Sequence, residues 1–252
     1  MSSISQRGAT GALGLTASGV FQTSTDASLA TLVGTKWDTS DGREVTLVSA
    51  SSATTVAAGK TYASPAIVAN HQNLTTTAFQ AYSANGNVPA KVTVTLGGTA
   101  ATANQYQGGF AVVNAGTGLG QTLRIASNPA QATTNGALVV TLEDGPNTAL
   151  DTSSKICLIP AAGANVVINP ATASNTPLGV GLYPIAASAY GYLCSKGAVS
   201  ALADGAIGVG LGVSPSGSVA GALTVGAATT ARVGRALQAG VDTEYRTVFV
   251  DF

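Results

Sequence analysis

One histidine in 252 residues limits the chemistry open to this chain. His71 lies among amides, in Ala69-Asn70-His71-Gln72-Asn73, with no cysteine or second histidine at ligand spacing, so no zinc site is expected. A Ser–His–Asp arrangement would have to use it, yet no Gly-x-Ser-x-Gly elbow occurs. His71 therefore reads as a structural loop residue, and its replacement by Ala is expected to leave folding nearly unchanged. Paired carboxylates are the other acid–base route, as in glycosidases. The candidates are Asp38 with Asp41 and Glu143 with Asp144, each in a turn-like stretch where Asp supports its own backbone. A sugar cleft also needs aromatic platforms, and the chain offers Trp37 and seven scattered Tyr. Ala58-Gly59-Lys60-Thr61 resembles the end of a phosphate loop, but the motif's first glycine would fall at Thr54. Gly116-Thr117-Gly118-Leu119-Gly120 and Gly208-Val209-Gly210-Leu211-Gly212 have the wrong spacing for a dinucleotide fingerprint and read as turn and strand glycines. No catalytic residue, cofactor-binding residue or metal ligand is assigned. No cofactor is expected, and the chain is expected not to be an enzyme.

The elements around these residues are short strands. Lys91-Val92-Thr93-Val94-Thr95-Leu96 alternates apolar and polar side chains with the period of a half-buried strand. Similar runs cover residues 44–50, 110–113, 122–125, 138–142, 156–159 and 247–250. Gly97-Gly98, Asn128-Pro129, Asn135-Gly136 and Asp144-Gly145-Pro146 punctuate them as turns. Strands at this spacing predict an all-β fold, a β-sandwich or barrel with Gly/Ser/Thr-rich loops and at most one or two short helices. Helix content below about 15% is expected, against the usual 30–35%. The helix candidates are residues 26–34, with Asp26 as cap and Gly34 as stop, and residues 231–239, which Gly234 weakens. Three segments follow: 1–40 as an N-terminal arm or lead-in, 41–160 as a β domain, and 161–252 as a Gly/Ala-rich second β lobe.

Composition bears on partners. Charged residues make up 9% of the chain, against roughly 25% in ordinary soluble domains, and eleven basic residues balance eleven acidic ones. Nucleic-acid binding needs clustered Lys and Arg, and Arg232 with Arg235 stand isolated from other basic residues. Zero net charge with much small apolar surface favours association with other chains. Association through neutral contacts should depend only weakly on salt. The Gly/Val-rich segment 205–226 is expected to supply close backbone contacts, so a bulky charged residue at Gly210 should weaken the oligomer or the fold. The uncharged run 205–231 contains Ser214-Pro215-Ser216-Gly217 and reads as strand–turn–strand, with no membrane span expected. The start of the chain reads as lacking a secretory signal. Cys157 and Cys194 read as two buried free thiols in strands, although a single bridge remains open.

The C-terminal third carries a resemblance. Leu202-Ala203-Asp204-Gly205-Ala206 leading into Gly/Val strands, then Ala231-Arg232-Val233-Gly234-Arg235-Ala236-Leu237 and a closing Val-rich strand, is similar to the capsid decoration (cement) proteins of tailed bacteriophages. The resemblance brings no site residue with it. It implies a structural virion protein, made in the host cytoplasm, that binds the outside of an assembled capsid. It further implies a homotrimer with the major capsid protein as partner and no contact with nucleic acid or membrane. A head fibre or tail component shares the composition. A carbohydrate-binding or carbohydrate-cleaving β module, with a cleft lined by Trp37 or several Tyr, is the alternative of another class.

Overall fold

The computed structural model describes residues 4–6, 23–84, 88–172, 175–227 and 231–252. The fold is all-β, with 44% strand and 5% helix, and the described helices are short 3-10 turns. Two compact units form: residues 67–161, and residues 1–66 together with 162–252.

The unit of residues 1–66 and 162–252 has, among the described residues, four strands before the inserted segment and seven after it. They are β1 (Ile4–Gln6), β2 (Lys36–Thr39), β3 (Glu44–Ser49) and β4 (Thr61–Ala63). The inserted unit holds β5 (Leu74–Gln80), β6 (Lys91–Thr95), β7 (Phe110–Ala115), β8 (Thr122–Ser127), β9 (Ala137–Leu142) and β10 (Lys155–Ile159). The chain then returns through β11 (Val167–Ile168), β12 (Pro177–Gly181), β13 (Tyr190–Leu202), β14 (Gly212–Pro215), β15 (Leu223–Val225), β16 (Gly234–Ala236) and β17 (Tyr245–Asp251).

Residues 67–161 close into a six-stranded antiparallel barrel in the order β10-β5-β6-β9-β8-β7, with β7 pairing back to β10. The strands β7, β8 and β9 follow one another by hairpins and β10 returns beside β7, which is a Greek key. The alternation seen in the sequence is what fills it. Val92 and Val94, Leu138 and Val140, and Ile156 and Leu158 all point inward, fully or almost fully buried. Gly116, Gly118 and Gly120 all take positive φ in the β7–β8 hairpin, so these glycines serve a turn.

The other unit is built on β13, a strand of 13 residues. Its first half pairs with β3 and β12, and its second half pairs with β17 in register from Lys196↔Asp251 to Leu202↔Tyr245. The sheet continues outward through β16, β14 and β15 on one side and through β2 and β1 on the other. A register shift between Cys194 and Lys196, next to Gly197 at φ +112°, lets one strand serve both halves.

Several expectations change here. The sequence segment 41–160 is divided, because β3 and β4 join the sheet of β13 while the barrel begins only at Ile67. Of the supposed arm, residues 1–3 and 7–22 lie outside the described residues. Residues 27–32 form a 3-10 turn, with Ser28 N–H donating to the Asp26 carboxylate at 2.9 Å and Gly34 at φ +89°, as the cap and stop signals indicate. The helix expected over 231–239 is absent. β16 occupies its middle, because Gly234 lets this segment approach β17 so closely that a Cβ there would lie 2.1 Å from the Phe249 carbonyl oxygen. Tertiary pairing overrides a weak local helical preference.

Candidate interaction surface

The residues with catalytic types do not assemble. His71 is fully buried at the end of a 3-10 turn, inside the barrel unit. Its Nε2 faces the Thr99 carbonyl oxygen at 2.8 Å, so Nε2 carries the proton and Nδ1 accepts from the Tyr106 hydroxyl. Burial pushes the Tyr106 phenol far above its usual range, which keeps it a donor. Asp41 is held at about 2 chiefly by its hydrogen bond with Arg43. Glu143 pairs with Arg124 at 2.9 Å. Trp37 is 2% exposed and packs edge-on against Tyr192 with ring centroids 5.5 Å apart, so it forms no sugar platform. Gly59, in the phosphate-loop-like stretch, sits at φ +75° against the Tyr245 ring. Cys157 and Cys194 are both free thiols. Among the described residues no cluster of His, Cys, Asp and Glu could hold a metal ion, and no helix is long and apolar enough to cross a membrane.

What the structure does assemble is a surface. Along β17, Val248 and Val250 are buried while Tyr245, Thr247, Phe249 and Asp251 face solvent. The cross-strand partners on the same face are small: Ala198 opposes Phe249 and Ser200 opposes Thr247. On the other side of β17, Arg235 opposes Phe249, and Gly212 of β14 opposes Arg235. Of the twelve exposed large hydrophobic residues among the described residues, eight lie between residues 209 and 249, including Val209, Leu237 and Val241 in the adjoining turns.

An open groove of about 580 Å³ adjoins this face, floored by Ala198, Ser200 and Thr247 and flanked by Tyr245 and Arg43. Arg43 brings no free charge to it, since Nε and a terminal nitrogen hold Asp41 at 2.8 and 2.6 Å. The groove thus offers shape and apolar surface without converging acid or base groups.

The free charge sits at the other end of the face. Arg232 and Arg235 are exposed and have no ion pair or hydrogen bond among the described residues. The side chain of Arg232 crosses Gly212, where a Cβ would come within 2.7 Å of Cδ and 3.1 Å of Cζ. Gly226, hydrogen-bonded to Gly212 at 2.8 Å, leaves room for its Cγ. The sequence places both arginines in a helix candidate, isolated from other basic residues; strand pairing instead brings Arg235 opposite Gly212, over which Arg232 lies.

Gly210 has open space around it within the chain and φ +79°, a turn conformation that favours glycine. Comparison of the chain with protein-family models, curated proteins and solved structures finds no match.

Proposed function

We propose that this is a structural virion protein that binds the outside of an assembled bacteriophage capsid and stabilises it, without enzymatic activity. The observation that supports this reading is the outward face of β13, β17 and β16, with small floor residues, exposed Phe249 and Tyr245, and neighbouring exposed Val209, Leu237 and Val241. Such a face suits protein contact better than catalysis or sugar binding. A homotrimer is the proposed working form and the major capsid protein the proposed partner. A protein that binds only the mature lattice lowers the free energy of that lattice by mass action. Trimeric engagement of several subunits turns weak single contacts into firm attachment.

The test mixes purified protein with expanded capsid shells of its phage. Saturable binding in copy numbers comparable with the capsid subunit, a raised shell disruption temperature and trimers in sedimentation are the expected results. A monomer that leaves shells bare and equally heat-labile defeats the reading.

A further inference from the structure

We infer that the outer face of the β14–β16–β17 ribbon is a docking site for a partner protein's carboxylate, carried a few residues from an apolar side chain. This rests on the reading of the face as a protein contact and names the chemistry of what docks. Two arginines border Gly212: Arg235 as its direct cross-strand partner, and Arg232, whose guanidinium lies across its bare backbone. Directly opposed residues stand about 5 Å apart at Cβ, so the Arg232 fork, lying where a Gly212 side chain would be, is close to the stem of Arg235; Asp251, exposed on the same face of β17, is paired with Lys196 at 3.6 Å.

Every other arginine among the described residues is paired: Arg43 with Asp41, Arg124 with Glu143, and Arg246 with Glu244. The bare backbone of Gly212 and Gly226 leaves room for the Arg232 stem to lie along the sheet. Planar forks of this kind match carboxylates in two-point contacts.

The apolar part of the partner is fixed by the same face. Phe249 stands beside Arg235, and the groove floor begins at Thr247, two residues along the strand. From Gly212 to that floor is about two strand spacings across and two residues along, roughly 12 Å, the reach of three or four extended residues. A second copy of this chain would have to give up existing contacts to supply the carboxylate, and the self-association readout below separates that source. Of its eleven acidic side chains, only Asp144 has no hydrogen bond or ion pair among the described residues.

The probe is the blocked peptide acetyl-Ser-Leu-Gly-Ser-Asp-Gly-amide, titrated into the full-length protein and followed by amide and arginine side-chain NMR shifts. Shifts should cluster at Arg232, Arg235 and residues 247–249, with a dissociation constant on the order of 1 mM. Replacing the peptide's Asp by Asn should weaken binding about tenfold, as should R232Q/R235Q, a pair of exposed substitutions. G212A keeps both charges but displaces the Arg232 stem, and should cost about fivefold. Ionic strength near 1 M, where the Debye length is about 3 Å, should weaken binding further.

Equal binding of the Asn peptide, or shifts confined to other surfaces, overturns the inference. So does displacement of the peptide by inorganic phosphate at lower concentration than by acetate, which would mark a phosphate site. Loss of self-association in R232Q/R235Q would also overturn it, by placing the carboxylate on a second copy. In the shell assay, R232Q/R235Q binding as well as wild type overturns this inference and leaves the decoration reading standing. Peptide binding by a wild-type protein that ignores shells supports the inference and defeats that reading.

Discussion

His71 shows how much one buried side chain can differ from its local sequence. Surrounded in the chain by Asn70, Gln72 and Asn73, it reads as a structural loop residue among amides, and both ring nitrogens are engaged in the barrel interior. Contrary to the nearly unchanged folding expected from the sequence, His71→Ala would strand the Tyr106 hydroxyl and the Thr99 carbonyl and open a cavity, so a loss of about 2–4 kcal/mol is expected in denaturant melts. A variant as stable as wild type would show that these bonds contribute nothing. Cys194 gives a second prediction at this scale. Burial raises its thiol from 9.0 to about 11, and burial likewise lifts Tyr183 and Tyr192 to about 12. Because the folded values are raised, this stability is complete below pH 9 and drains away as pH rises towards 11 and 12. Alkaline titration followed by circular dichroism should therefore show weakening that begins above pH 9. In native protein at neutral pH, a thiol reagent should label the half-buried Cys157 well before Cys194.

Among the elements, β16 is the one whose existence depends on a single atom's absence. A methyl group at Gly234 would meet the Phe249 carbonyl oxygen and the Val250 Cα, both backbone, so the strand cannot yield by turning a side chain. Gly234→Ala should cost about 2 kcal/mol or more, as overpacking does, and should release the β16–β17 amides to fast hydrogen exchange. Unchanged protection there would refute the close approach. β13 is an element that the alternation pattern does not reveal. Residues 191–195 are buried on both faces, and Gly191 and Gly197 break the run, so no polar–apolar period marks it. Its neighbour β17 is legible because one face is wet and one dry, from Thr247 to Val250.

At the scale of the molecule, the barrel is an insertion. It has its own buried core, including Val92, Val94, Leu138, Val140, Ile156 and Leu158, and a closed ring of strands with no free edge. Residues 67–161 expressed alone should therefore fold, giving dispersed amide spectra and a single cooperative melt. A collapsed, non-cooperative product would show that the barrel depends on the rest of the chain. The converse holds for the interrupted sheet, whose β3 and β13 come from opposite sides of the insertion in sequence.

What the sequence determined by itself is what local physics controls. Period-two alternation at residues 91–96 and 138–142 specifies half-buried strands, glycine and asparagine specify turns, and the Asp26 carboxylate specifies a cap. These signals are enough for an all-β fold, because each depends on neighbours within a few residues. Only the tertiary structure decided the rest. It split residues 41–160 between two units, buried His71, turned residues 234–236 from a helix candidate into a strand, and brought Gly212 opposite Arg235 and under the Arg232 side chain. Each of those outcomes is a pairing between segments far apart in the chain. Their energy comes from contacts that no window of sequence contains.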